Sequence, residues 1–361
     1  QTGIPGDLLT LNGSPFFTNI THNFTNDNDG SVQVSGNSII TYNGLEPIID
    51  NLNANDRIFN FNGGAEVITL DTFGGFANRI DSSLGEFVLF LNPVNSLTIN
   101  AGTGDDIINI EGVLTGFDAD LNVNGNDGTI DGILFQANAT NIGSGNLTTD
   151  SETLIINQDI TTTGSITTTT TDDSIVTNAT VQSTNGDITM TAGTAPAAGF
   201  SYSGLDILNA TVLTTGTGNI SLTGTGANTG ATNLTMGVFL GGSSNVQTAT
   251  GNIDIVGNGA SSGGQRLYGI GMEGSPIIQT TDGNITMQGT GGTGTGSHQL
   301  GVYFRTGSQV QISGSGALTV TGTGGNGAGG SNAGIGLFDA SITTSGGGAT
   351  FTANGGSGGN L

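Results

Sequence analysis

The stretch that decides the fold is "TTDGNITMQGTGGTGTGS", Thr280 to Ser297. Apart from Ile285 and Met287 it is almost entirely glycine, threonine and small polar residues. By composition it passes for a disordered linker. Its phase with the surrounding text says otherwise. The core of the stretch, glycine, a small residue and two apolar residues one apart, recurs as GDITM, GNISL, GNIDI, GNITM and GALTV. The leading glycines are Gly186, Gly218, Gly251, Gly283 and Gly316, spaced by 32, 33, 32 and 33 residues. A weaker copy, GATF, follows at Gly347 or Gly348.

Two further markers keep the same period. Val181, Val212, Val246, Ile278, Val310 and Ile342 precede the glycines by five or six residues. Glycine followed by apolar residues recurs at Gly204, Gly237, Gly269, Gly301 and Gly334. Each repeat therefore carries three short strand-like pieces with alternating pattern. Strands this short cannot bury an apolar face alone, but stacked repeats can. The expected fold is all-β, a three-faced parallel β-solenoid whose coils lie about 4.8 Å apart. Ile188, Ile220, Ile253, Ile285 and Leu318 should form one internal ladder. Met190, Leu222, Ile255, Met287 and Val320 should form the next. The phased glycines are expected at sharp corners, with positive φ where the turn requires it. The glycine-rich segment Gly289 to Gly296 is expected to be an ordered part of the coil.

Outward from the repeat the text changes. Gly145, Gly164 and Gly186 are only 19 and 22 residues apart, which implies shorter coils without the long insertion. Residues 1–95 are less regular but strand-rich, and phenylalanines such as Phe16, Phe17, Phe59, Phe61, Phe87 and Phe90 concentrate there. Three regions follow: 1–95, beginning or capping the solenoid; 96–179, acidic short coils; and 180–361, long Gly/Thr-rich coils. The last repeat stops before its third strand, which suggests a fragment or an end completed by another copy.

Charge narrows the function classes. The chain of 361 residues has no lysine, four arginines and 28 acids, a net charge of -24. Such a balance excludes nucleic-acid binding, which needs a basic footprint. Of the acids, 22 precede residue 180 and 6 follow it. No cysteine is present, so there are no disulfides or thiolate metal sites. No apolar run is long enough to span a bilayer.

The phased text "GNISLTGTG" and "GDITMTAG", with "YNGLEPI" (Tyr42 to Ile48) and "SLTINAGTGDDIINIEG" (Ser96 to Gly112), resembles large exported bacterial β-strand-repeat proteins of the filamentous-haemagglutinin-like adhesin type. The resemblance implies a right-handed parallel β-helix. It also implies secretion to the extracellular space or cell surface, and a structural or adhesive role. It carries over no catalytic residue. The partners expected on this basis are further copies of the chain, joined head-to-tail or laterally, or a cell-surface glycan.

Several acids are candidate calcium ligands, although no cofactor is required. "GTGDDIIN" offers Asp105 and Asp106 and is similar to half of an RTX-type calcium repeat. "NDNDGS" offers Asp27 and Asp29, and "NGNDGTID" offers Asp127 and Asp131. The competing explanation is that all six are solvated turn residues. A carbohydrate-binding or carbohydrate-cleaving β-helix is the alternative function. Carboxylate-pair glycosidases need two acids at fixed separation, and lyases of this shape rely on basic residues. The arginines do not cluster in sequence, although Arg266 and Arg305 could lie one coil apart. His22 and His298 read as isolated surface residues. The expected function is non-enzymatic.

Overall fold

The computed structural model describes residues 7–26, 28–61, 64–125, 130–193, 203–226, 234–261 and 264–358. Among them every regular element is a β-strand and none is a helix. That follows from abundant β-branched residues broken by glycine, which favours pleated strands and turns over helices. The chain divides into two compact units, Gln1–Glu152 with Gln158–Gly164, and Thr153–Asn157 with Ser165–Leu361.

In the second unit, consecutive strands are dealt in turn to three parallel sheets. The first contains Ile188–Ala192, Ile220–Thr225, Ile253–Asn258, Ile285–Thr290 and Leu318–Thr323, each hydrogen-bonded to the next. The second contains Leu205–Leu208, Thr235–Gly242, Leu267–Gly274, Val302–Arg305 and Ile335–Phe338. The third runs through Thr180–Ser183, Thr211–Thr214, Asn245–Thr248, Ile277–Thr280 and Gln309–Ile312.

Register is fixed by the apolar columns. Ile188 pairs with Ile220, then Ile253, Ile285 and Leu318, and Met190 heads the column Leu222, Ile255, Met287 and Val320. All ten side chains are buried. A slip by one residue would turn every one of them outward. Each such burial stabilises the fold by about 1.5–3 kcal/mol.

The phased glycines have a different cause from the one expected. None of Gly218, Gly251, Gly283 and Gly316 has a positive φ. Each instead lies against the backbone of the preceding coil. A Cβ on Gly251 would sit 1.9 Å from the Gly218 carbonyl oxygen, and one on Gly283 would sit 1.7 Å from that of Gly251. A second glycine column pins two sheets of the same coil together. A Cβ on Gly257 would meet the Gly269 oxygen at 2.2 Å, and one on Gly289 the Gly301 oxygen at 2.1 Å.

Beyond that pinch the long coils carry an extra lobe, described in full for residues 291–301. It is ordered by the backbone: Gly291 N donates to Thr323 O, Gly292 N to Leu267 O and Gly294 N to Asn326 O. Thr293 bridges to Ser261 and Gly294 to Gly327. The equivalent lobe residues 194–202 and 227–233 lie outside the described residues.

The first unit is parallel in part only. Phe16–Asn26 pairs in parallel with Asn53–Asn60, which pairs on with Ser96–Asn100, Asp120–Gly125 and Leu147–Ser151. On its other side Phe16–Asn26 runs antiparallel to Asp29–Val34, and that strand antiparallel to Ile40–Asn43. A second sheet holds the antiparallel meander Val67–Phe73, Ala77–Ser82 and Gly85–Phe90. Its first hairpin turns at Gly74 and Gly75, whose φ values of 61° and 74° suit a turn that needs left-handed residues at both positions. Phe24, Phe59, Phe61 and Phe90 pack ring on ring in the core of this unit.

Candidate functional site

Four of the acids offered as calcium ligands, Asp29, Asp105, Asp106 and Asp131, accept backbone amides. Glu66, Asp106, Asp131 and Glu152, all in the first unit, each stand at the residue before a strand. Asp106 Oδ1 accepts the Glu66 amide at 2.8 Å, Asp131 Oδ1 accepts the Asp106 amide at 2.7 Å, and Glu152 Oε2 accepts the Asp131 amide at 2.9 Å. Asp105 Oδ1 accepts the Ile130 amide at 3.2 Å. The carboxylates thus cap amides from coil to coil. Asp106 and Asp131 are fully buried, so they are not solvated turn residues. Burial, with Asp131 and Asp105 close by, pushes the Asp106 carboxyl above its ordinary value. Burial and Asp131 do the same to Glu152. Asp29 lies on another sheet, where it accepts from Asn26 Nδ2 and from the Gly44 amide. Asp27 and Asp127 lie outside the described residues. Among the described residues no group of three acids or histidines is placed to hold a metal ion.

A second charged cluster was not anticipated. His22 is no surface residue: it is fully buried with Asp50 and Arg57. Its Nε2 lies 3.1 Å from Asp50 Oδ2, which also receives Arg57 Nη1. Arg57 Nε donates to Leu91 O at 3.1 Å, and its Nη2 donates to Leu52 O. The imidazole stacks on Phe59 at 5.0 Å, and the guanidinium lies 5.6 Å from the Phe90 ring centre. Burial holds His22 below its ordinary pKa, against the pull of Asp50. Burial alone would raise Asp50, but the His22 hydrogen bond and the Arg57 charge overcome it and hold the carboxyl low. The cluster is sealed from solvent, so it does not meet a substrate, and removing one partner would leave a buried charge unpaired.

The most site-like feature is a pocket of about 260 Å³ in the second unit. Leu234, Arg266, Tyr268, Glu273, His298, Tyr303 and Arg305 line it. The lobe of the long coils supplies Arg266 and His298, and the strands Leu267–Gly274 and Val302–Arg305 supply the rest of its polar wall. Tyr268 and Tyr303 meet at 5.0 Å with a 49° tilt. Tyr268 forms a small apolar cluster with Met236 and Leu300, and Tyr303 packs against it. Burial, then the nearby Tyr303 hydroxyl, push the Tyr268 hydroxyl up to about 12, against the pull of Arg266 and Arg305. Arg305 Nη1 pairs with Glu273 Oε1 at 2.5 Å, with both groups exposed. Arg266 is exposed and makes no ion pair among the described residues.

The backbone under this wall is strained. Leu234, Arg266, His298 and, beyond the pocket, Ser331 have φ values of 71°, 61°, 66° and 67°. They are equivalent residues of four successive coils: the Leu234 amide donates to Gln265 O, the Arg266 amide to Ser297 O and the His298 amide to Gly330 O. A left-handed non-glycine residue costs about 1–2 kcal/mol. The other left-handed column of the unit uses Asn178, Asn209 and Asp339, types that tolerate it. Sequence spacing alone set Arg266 and Arg305 apart at 39 residues. Sorted by phase, the signal is plain: Arg266 to His298 and Glu273 to Arg305 are both 32 residues, one coil.

No protein-family model, curated protein or solved structure matches the chain.

Proposed function

We propose that the protein is a non-enzymatic extracellular structural or adhesive protein, a right-handed, three-faced parallel β-helix of the filamentous-haemagglutinin-like kind. It would serve as a stiff rod at a bacterial cell surface or in an extracellular filament. The supporting observation is the in-register stacking of the second unit. One residue of each type per coil forms the apolar, glycine and amide-capping columns, so mechanical continuity is what the sequence specifies. A low fraction of charged residues, absent cysteine and absent lysine fit a chain selected for stacking rather than for chemistry. Negative-stain electron microscopy of the purified protein tests the reading. Elongated particles, alone or joined end to end, are expected, and compact particles would overturn it. A panel of polysaccharides assayed for new reducing ends should stay silent, and cleavage of any of them would restore the enzyme reading.

A further inference from the structure

We propose that the pocket walled by Arg266, His298, Tyr303 and Arg305 binds an acidic saccharide through the carboxylate of a uronic-acid unit. The proposal rests on the adhesive reading and gives it a ligand class.

The first ground is where the cations are. The whole sequence has four arginines, no lysine and two histidines. Two of those arginines and one histidine line this single pocket. Arg57 and Arg79 are committed to Asp50 and Asp71 in the first unit, and Arg305 is partly neutralised by Glu273. Arg266 alone among the described arginines is left to meet an anion. A guanidinium presents two parallel N–H groups to a carboxylate, which gives both strength and orientation.

The second ground is that the wall is built at a cost. Arg266 and His298 are held left-handed, in a column where glycine or asparagine would relax the chain. The column runs on to Ser331 outside the pocket, so the left-handed turn belongs to the coil; three of its four described non-glycine residues line the pocket, and outliers gathered at one pocket point to function. Room is also reserved on the sheet beside it. A Cβ on Gly271 would collide with Met236 Sδ at 2.2 Å, so glycine there lets the apolar cluster around Tyr268 settle.

The third ground selects the ligand. A pyranose ring has an apolar C–H face and a polar rim. The half-buried Tyr303 ring, backed by Tyr268, offers a flat amphipathic surface for such a face. The pocket holds about one ring of that size, smaller than the usual cleft for a larger ligand. With a net charge of -24 the protein repels dense polyanions at long range. Screening over roughly 8 Å confines that repulsion. A glycan with one carboxylate per two sugars therefore suits it better than a sulfated or phosphate polymer. The lobes that carry the wall occur in the long coils, where per-repeat insertions form a binding face.

Binding to a hyaluronan tetrasaccharide, followed by NMR titration and calorimetry on the full chain, tests the proposal. Saturable binding is expected. The methyl-esterified tetrasaccharide, with its charge removed, should bind at least tenfold more weakly, the loss of one charged hydrogen-bonded pair. Arg266→Asn keeps a residue that tolerates the left-handed backbone and should also lose at least tenfold. Arg79→Gln, in the other unit, should bind as wild type. No saturation by about 10 mM, a range already weaker than useful recognition, would overturn the proposal. So would equal binding of the ester, equal or tighter binding of a heparin tetrasaccharide, or equal binding of a tetraglutamate peptide. The ester comparison needs only the wild-type protein, so it decides even where a variant misfolds. Elongated particles in the microscope with no binding here would leave the structural reading standing and remove only its ligand.

Discussion

Substituting Gly251 by alanine tests whether the phased glycines are there for close approach. The added Cβ would fall 1.9 Å from the Gly218 oxygen, where real Cβ atoms essentially never come within 3.0 Å. The two coils must therefore part by roughly 1 Å at that corner, against a normal spacing of about 4.8 Å. The Gly218 oxygen also accepts the buried Thr214 hydroxyl at 2.7 Å, and the Gly251 oxygen accepts that of Thr248 at 2.6 Å. Overpacking costs about 1–3 kcal/mol, and loosening two such hydrogen bonds costs about 0.5–1.5 kcal/mol each. Gly251→Ala should destabilise the second unit by about 3 kcal/mol. Gly330→Ala is the control: it has open space around the added Cβ and no positive φ. Its cost should be near zero, or a gain of about 0.4–1 kcal/mol through the unfolded chain. Urea unfolding followed by circular dichroism gives the difference. Hydrogen exchange should show the loss centred on Ile220–Thr225 and Ile253–Asn258. Equal midpoints for the two variants would refute the close-approach account.

Three further outcomes are expected. Acidification should weaken the first unit through His22: its pKa is depressed in the fold, so the unfolded chain takes the proton first as pH falls below about 6.5. Asp50, also held low, adds stability above about pH 3.9 that is lost only as pH falls through its depressed folded value, whereas Asp106 and Glu152, held high, gain stability as pH falls through theirs. The difference between wild type and His22→Phe, which keeps a ring against Phe59, should therefore isolate the imidazole, and parallel pH profiles from 7 to 5 would count against it. Asp131→Ala should cost about 1–3 kcal/mol by stranding the buried Asp106 amide, while millimolar calcium should leave the melting temperature where EDTA leaves it; a saturable calcium shift would return these acids to the metal reading. Asn252→Ala removes the Oδ1 that accepts the Asn284 amide at 2.8 Å, and because this corner is exposed the cost should stay near 0.5–1 kcal/mol by thermal unfolding.

Much of the second unit was legible because its signal is redundant. Three phased markers fixed which residues stack, and Ile253 and Met287 lie where that phase puts them. The role of the residue after each glycine was not read. Asp187, Asn219, Asn252 and Asn284 looked merely small, yet each passes a side-chain oxygen to the backbone amide of the next coil. The first unit was less legible because antiparallel pairing leaves no period. "TFGGFANRI" does carry a hairpin signal, paired glycines between alternating residues, but it occurs once. His22 was misjudged for a related reason. Its partners Asp50 and Arg57 lie 28 and 35 residues away without any repeat to link them.

Stacking also explains where charge is allowed. Equivalent residues of successive coils sit about 4.8 Å apart, where two like charges repel by roughly 1–3 kcal/mol between water and a partly buried setting. A repeated charge therefore meets its own copy, which fits a chain with only 9% charged residues. Where acids do stack, as at Asp106 and Asp131, they accept amides, and the Asp106 carboxyl is pushed toward its neutral form. Where both signs appear at one phase, as at Glu273 and Arg305, they pair. Arg266 and His298 break this pattern. They share a phase, neither has an acid beside it in that column, and both are held left-handed at the same pocket. An anion brought from outside is the partner that would complete the column.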